Sequence, residues 1–172
     1  MLCGDRIYLR LMEASDISLK VKWTNDPEIR ETLIMDYTSE TKTKQWLQKA
    51  SADGSRRDFM IVFKNNDQAI GFSSLKDIDY ANSKAEMTIC IGEKEYWGKG
   101  FALETRTLII NYAFTELGLN KVFTFNWVKN GRVIQLNEKL GFKVEGTLRQ
   151  HIFFKGEFRD FYVMGLLKNQ WK

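Results

Sequence analysis

The chain has 172 residues, 44% of them hydrophobic and 28% charged, enough for one domain with a substantial core, which excludes a disordered or fibrous protein. Its net charge of +4 and pI near 9.0 suit an anionic ligand such as a nucleotide. No run of five like charges provides a dedicated nucleic-acid arm. Cys3 and Cys90 have no CxxC or metal-ligand spacing and His151 is the only histidine, so neither a zinc site nor a disulfide scaffold is expected.

In chain order, Ile7-Tyr8-Leu9-Arg10-Leu11 reads as a first strand. Ser15 or Asp16 caps a short helix running to about Trp23, which Asn25-Asp26-Pro27 breaks, because proline disfavours helix in the residue before it. A second helix starts near Ser39 and carries Trp46 and Leu47. Strands over residues 59–63, 70–78 and 85–91 follow, with polar turns at Asn65-Asn66-Asp67 and over residues 79–83. After Gly98-Lys99-Gly100 comes the longest helical pattern, with Leu108, Ile109, Tyr112, Ala113 and Leu117 at helical spacing and Gly118 as its stop. A strand over 121–128, a short helix over 132–140 ending at Gly141, and two strands over 142–154 and 158–167 around the turn Lys155-Gly156-Glu157 complete the order. The expected fold is α/β (α+β): one domain over residues 1–172, a mixed sheet with helices on its faces. Residues 1–6 carry no signal-like apolar region, and no apolar run approaches membrane-spanning length, so a cytoplasmic setting is expected.

The chemistry concentrates between residues 86 and 102. Glycines 98 and 100 just before a helix leave backbone N–H groups uncovered, and with the helix dipole they form a cradle for a pyrophosphate, to which Lys99 adds charge. Alone, the pattern is weak, since turn glycines with no ligand also produce it. A P-loop is excluded because no Gly-Lys-Ser/Thr follows at the required spacing. A dinucleotide fold is excluded because the loop does not follow the first strand of a βαβ unit.

Tyr96-Trp97-Gly98-Lys99-Gly100-Phe101-Ala102 resembles the acetyl-CoA pyrophosphate loop of the GNAT acetyltransferases, and Asn130 followed by Glu138-Lys139-Leu140-Gly141-Phe142 resembles their second cofactor motif. The tail segments Glu145-Gly146-Thr147-Leu148-Arg149 and Lys155-Gly156-Glu157-Phe158-Arg159-Asp160 are similar to the ribosomal-protein and spermidine N-acetyltransferase branches. The resemblance spans nearly the whole chain. It implies a GNAT fold: a mostly antiparallel mixed sheet of about seven strands, splayed between the fourth and fifth, flanked by about four helices. It also implies direct acetyl transfer from acetyl-CoA to a primary amine, with no metal. By the same match, Ile89, Cys90 and Ile91 meet the pantetheine arm through strand backbone, Trp97, Gly98, Lys99, Gly100, Phe101 and Ala102 hold the pyrophosphate, and Asn130 hydrogen-bonds the cofactor. A backbone N–H on the splayed strand would stabilise the oxyanion of acyl transfer.

An amine must lose a proton before it attacks, and Glu86 matches a fourth-strand glutamate proposed as the base in several branches. A solvated or ion-paired carboxylate is the alternative reading of Glu86. Asn137 stands where spermidine-type enzymes have a general-acid tyrosine, and Val133 where Ser or Ala is usual, which leaves the acid for the departing thiolate open between Tyr162, Tyr96 and water. Cys90 reads better as a small apolar strand residue than as a nucleophile, and His151 as packing or edge decoration than as a catalyst. Trp23, Trp46 and Tyr37 either wall the acceptor pocket or, for the tryptophans, fill the core. Glu28, Glu31 and Asp36 suit a cationic acceptor or form a solvated face. The acceptor stays open among a protein N-terminus, a polyamine and an amino sugar. A non-catalytic acyl-CoA-binding module is the alternative function. The partners expected are acetyl-CoA and the amine, with no membrane and no specific nucleic acid; a homodimer is allowed.

Overall fold

A computed structural model describes residues 1–172. Its strands are β1 (Leu2–Cys3), β2 (Ile7–Leu11), β3 (Arg57–Phe63), β4 (Gln68–Asp79), β5 (Lys84–Ile91), β6 (Lys121–Trp127), β7 (Lys143–Phe154) and β8 (Glu157–Leu167). Its helices are α1 (Ile17–Asn25), α2 (Pro27–Leu33), α3 (Glu40–Ala52), α4 (Phe101–Asn111) and α5 (Gly131–Lys139). One sheet holds every strand, in the order β1-β2-β3-β4-β5-β6-β8-β7, and every neighbouring pair is antiparallel except β5–β6.

Strand alternation sorts the core into two layers. On β3, Phe59 and Ile61 point to one face and Met60 and Val62 to the other, as the two-residue period requires. The first face packs with Ile109, Ile110, Ala113 and Phe114 from α4 and the π-helical turn Tyr112–Glu116 that continues it. The second face packs under α1 to α3 through Ile17, Trp23, Ile29 and Leu47. Each such apolar side chain contributes ~1.5–3 kcal/mol when fully buried. Trp23 is the tightest fit: a Cβ on Gly92 would lie 2.1 Å from its ring, so the chain leaving β5 needs a glycine to pass the indole.

The expected elements are all present, and two additions were not read from the sequence. The short β1 pairs with β2 at the sheet edge, and α2 begins at the proline that the sequence suggests only as a helix breaker. Pro27 is the first residue of α2, and the Asp26 side chain accepts from the N–H groups of Glu28 and Ile29. Proline is well suited to that position because its missing N–H would have had no partner there. The sheet therefore has eight strands and five helices flank it, against about seven and four. With β1 counted, the expected splay falls between β5 and β6.

Candidate active site

β5 and β6 run parallel and pair only where residues 84–86 meet residues 121–123. Beyond Glu86 and Phe123 the strands part, although β5 continues to Ile91 and β6 to Trp127. β4 covers the other edge of β5 along its length, and β8 covers the other edge of β6. The divergence thus leaves two facing backbone edges free to hydrogen-bond an extended ligand.

The glycine loop lies at the end of that gap and opens α4. Gly98 and Gly100 have φ of 73° and 85°, a region costly for any residue with a Cβ, and Gly100 forms the N-cap of α4. No protein acceptor takes the backbone N–H groups of Lys99, Gly100, Ala102 or Leu103. Arg6 on the approach to β2 braces the loop: its Nη1 donates to Lys99 O at 2.9 Å, its Nε reaches Glu104 at 3.0 Å, and its guanidinium stacks over Phe101. Trp97 braces it from the other side, its indole N–H donating to Ile91 O at 2.8 Å. Free donors at the positive end of a helix dipole, with a lysine beside them, fit a pyrophosphate. The gap fits the extended arm attached to it.

A cleft of about 760 Å³ continues from the splay toward α1 to α3. Thr88, Ile89, Thr124, Asn126, Asn130 and Val133 line its strand end. Trp46, Phe72, Tyr37, Phe161 and His151 line the rest. Glu86 lies within it, buried, with Lys76 of β4 at 3.0 Å. Burial pushes the Glu86 carboxyl above its ordinary range, and Lys76 pulls it only part of the way back. A carboxylate raised in this way is a better proton acceptor than an exposed glutamate. It sits on the same face of β5 as Thr88 and Cys90.

The structure separates residues that sequence reasoning had grouped. Asn130 caps α5, its side-chain oxygen accepting from Val133 N at 3.4 Å, and it also lines the cleft. Phe101 and Cys90 bury their side chains in opposite core layers, so either can meet a ligand only through backbone. Burial pushes the Cys90 thiol up to about 12, which removes its thiolate at neutral pH. Trp23 is a core residue hydrogen-bonded to Glu93 at 2.9 Å, whereas Trp46 walls the cleft. Neither tyrosine considered as the acid lines the cleft. Tyr96 donates to Gln68 and packs between Phe63 and Phe101, and Tyr162 packs against the α4-side core. Asn137 is wholly buried behind Asn126, to which its amide donates at 3.2 Å. His151, read as packing, stacks on Phe125 and lines the cleft.

Two buried cations of the cleft have no counterpart among the residues that the sequence singles out. Lys20 of α1 is buried with its ammonium 3.7 Å from the Phe72 ring centroid and 4.6 Å from that of Trp46. Burial brings it down to about 8. Arg106 of α4 is 3% exposed, its Nε and Nη1 have no partner, and burial lowers it to about 10. A signal for Arg106 was available: it stands three and four residues before Ile109 and Ile110, on the helix stripe that faces the core.

No group of three or more His, Cys, Asp and Glu side chains could hold a metal ion, and no helix is long and apolar enough to cross a membrane. Residues 6–143 match the family model described as an acetyltransferase (GNAT) domain. The spermidine N(1)-acetyltransferase of Vibrio cholerae is 31% identical over 172 residues, covering 98% of this chain and 96% of that protein. The uncharacterized N-acetyltransferase p20 of Bacillus licheniformis is 33% identical, covering 97% of this chain and 96% of its own length. Among solved structures, the spermidine N-acetyltransferase from Vibrio cholerae in complex with CoA and spermine matches with a TM-score of 0.92 at 28% identity, over 97% of this chain and 98% of that one.

Proposed function

The chain belongs to the GNAT acetyltransferase family, and on that footing we propose that it transfers acetyl directly from acetyl-CoA to a primary amine, with Glu86 as the base. The observation that carries the reading is the divergence of β5 from β6 immediately after Glu86, beside a glycine loop with free backbone donors. The donor molecule supplies an acetyl thioester. The amine nitrogen forms a bond to the carbonyl carbon, the carbon–sulfur bond breaks, and the amine proton leaves to the base while the sulfur departs as thiolate and is then protonated.

The chain's own residues account for the surrounding requirements. The N–H groups of residues 98–103 and Lys99 bind the pyrophosphate. The free edge of β5 at Ile89, Cys90 and Ile91 orients the pantetheine arm and offers an N–H to the developing oxyanion. Glu86, directly or through one water, holds the amine proton. With Asn137 buried and Tyr96 and Tyr162 outside the cleft, we assign protonation of the thiolate to water. The spermine-bound relative makes a polyamine one acceptor to test, alongside amino sugars and peptide N-termini.

The test is two measurements on the same preparation. Calorimetry should show acetyl-CoA binding, and a coenzyme A release assay over an amine panel should show turnover. Binding without turnover on any amine would favour an acyl-CoA-binding module, and absence of both would reject the reading.

A further inference from the structure

The charge balance of the cleft narrows the acceptor. Lys20, Lys42, Arg56, Lys76 and Arg106 line it, against Asp36 and Glu86. Lys76 is matched by Glu86 at 3.0 Å, and Arg56 by Asp58, which receives both its Nε and Nη2 and also the hydroxyl of Ser74. Lys42 and Asp36 lie exposed at the rim. Lys20 and Arg106 remain, and neither donates a hydrogen bond to any protein acceptor, although both are buried. Arg106 Nε and Nη1 are sealed without a partner, and the residue lines the cleft. An unpaired guanidinium enclosed in protein is costly, so Arg106 needs a reason; Lys20 has only two aromatic rings and the Asp58 carboxylate, which Arg56 already engages.

The acidic residues that could offset them are committed elsewhere. Glu31 is held by Arg159 and Lys155, and Asp26 and Glu28 by Lys94. A polyamine entering this cleft would bring several positive charges against a net positive lining. An amine that also carries an anion meets the opposite field: its anion is attracted, and the neighbouring cations hold its amino group toward the neutral, attacking form.

Resting on the acetyltransferase reading above, we infer that the acceptor is an amine bearing an oxyanion, a carboxylate or a phosphate, drawn into the cleft by Lys20 and Arg106. Trp46 and Phe72 wall the Lys20 side, and their rings give the anion an apolar surround in which a charge-assisted hydrogen bond is strong.

Coenzyme A release by the wild-type enzyme is compared for spermidine, propylamine, the common α-amino acids and phosphoethanolamine, the last two distinguishing carboxylate from phosphate. The same panel is run on Lys20→Met and Arg106→Met, with acetyl-CoA affinity by calorimetry and melting temperature as controls. The expected result is a kcat/KM for an anionic amine ~10–100-fold above that for spermidine, the effect of one charge-assisted hydrogen bond, shrinking in at least one variant mainly through KM. Spermidine turned over as well as any anionic amine, or no turnover of anionic amines, overturns the inference. So does a preference unchanged in both variants, including the case where kcat falls equally for all acceptors because Arg106 serves the thiolate. Failure to bind acetyl-CoA would instead reject the proposed function.

Discussion

Glu86→Gln separates a base from a structural carboxylate. The substitution preserves side-chain shape in a buried position and removes the ability to take a proton. General-base catalysis typically contributes ~10²–10⁴-fold, equivalent to roughly 3–5 kcal/mol of barrier, and kcat should fall by that range at pH 7. Acetyl-CoA affinity should hardly change, because the glycine loop proposed to hold the pyrophosphate lies at the other end of the splay. The fold should tolerate the exchange: a neutral amide relieves the desolvation that raises the Glu86 carboxyl, and Lys76, 34% exposed in its side chain, can turn to solvent. The sign of the pH effect follows from the raised carboxyl. As pH falls through that raised value Glu86 takes up a proton and ceases to be a base, so wild-type activity has an acid limb lying above the ordinary glutamate range. Lys76→Met removes the ion-pair partner and should move the limb to higher pH. The Gln variant should lose that limb and recover activity at high pH, where more of the amine is already neutral. Steady-state kinetics by coenzyme A release across pH reads all of this. A Gln variant with wild-type kcat at pH 7 would refute the assignment and leave Glu86 as the partner of Lys76.

Gly98→Val and Gly100→Val should each weaken acetyl-CoA binding at least ~10-fold by calorimetry, since both need positive φ and a branched Cβ costs ~1–2 kcal/mol there; unchanged affinity in a folded variant would move the pyrophosphate site elsewhere. Cys90→Ala should keep most of its turnover, because a thiol pushed up to about 12 is not a nucleophile at neutral pH; an acetyl-enzyme adduct seen by mass spectrometry in wild type, absent in a dead variant, would show the opposite. Lys20→Met should be stabilising below pH 8. Lys20 faces Asp58 and Arg56 from β3 and its approach, Cys90 from β5, and the Trp46 and Phe72 rings. Its drop from 10.5 to about 8 makes burial of the charge cost roughly 3 kcal/mol. In wild type that cost is present while both folded and unfolded lysines are charged, and is relieved as pH rises from about 8 to 10.5. The stability advantage of the variant should therefore shrink over that window in denaturant titrations, and an advantage independent of pH would mean that Lys20 is not the group responsible.

Much of this molecule is legible without coordinates because it depends on local chemistry. The strand and helix order follows from two-residue and 3.6-residue periods and from turn residues whose preferences act over a few neighbours. The glycine loop proposed to hold the pyrophosphate is equally local, since two glycines with positive φ and the start of a helix are adjacent in the chain. α2 escaped detection because Pro27 both ends one helix and begins another, and only the Asp26 cap distinguishes the two roles. What required the tertiary structure is whatever depends on distant segments meeting. The pairing of Glu86 with Lys76, and of Glu31 with Arg159 and Lys155, removes charges that looked free in the sequence. The retreat of Asn137, Tyr96 and Tyr162 from the cleft, and the arrival of Lys20 and Arg106 in it, are set by packing against other elements. A residue type and its spacing determine which local structure forms, but burial and partners determine its charge state and its reach, and these arise only when the sheet closes under its helices.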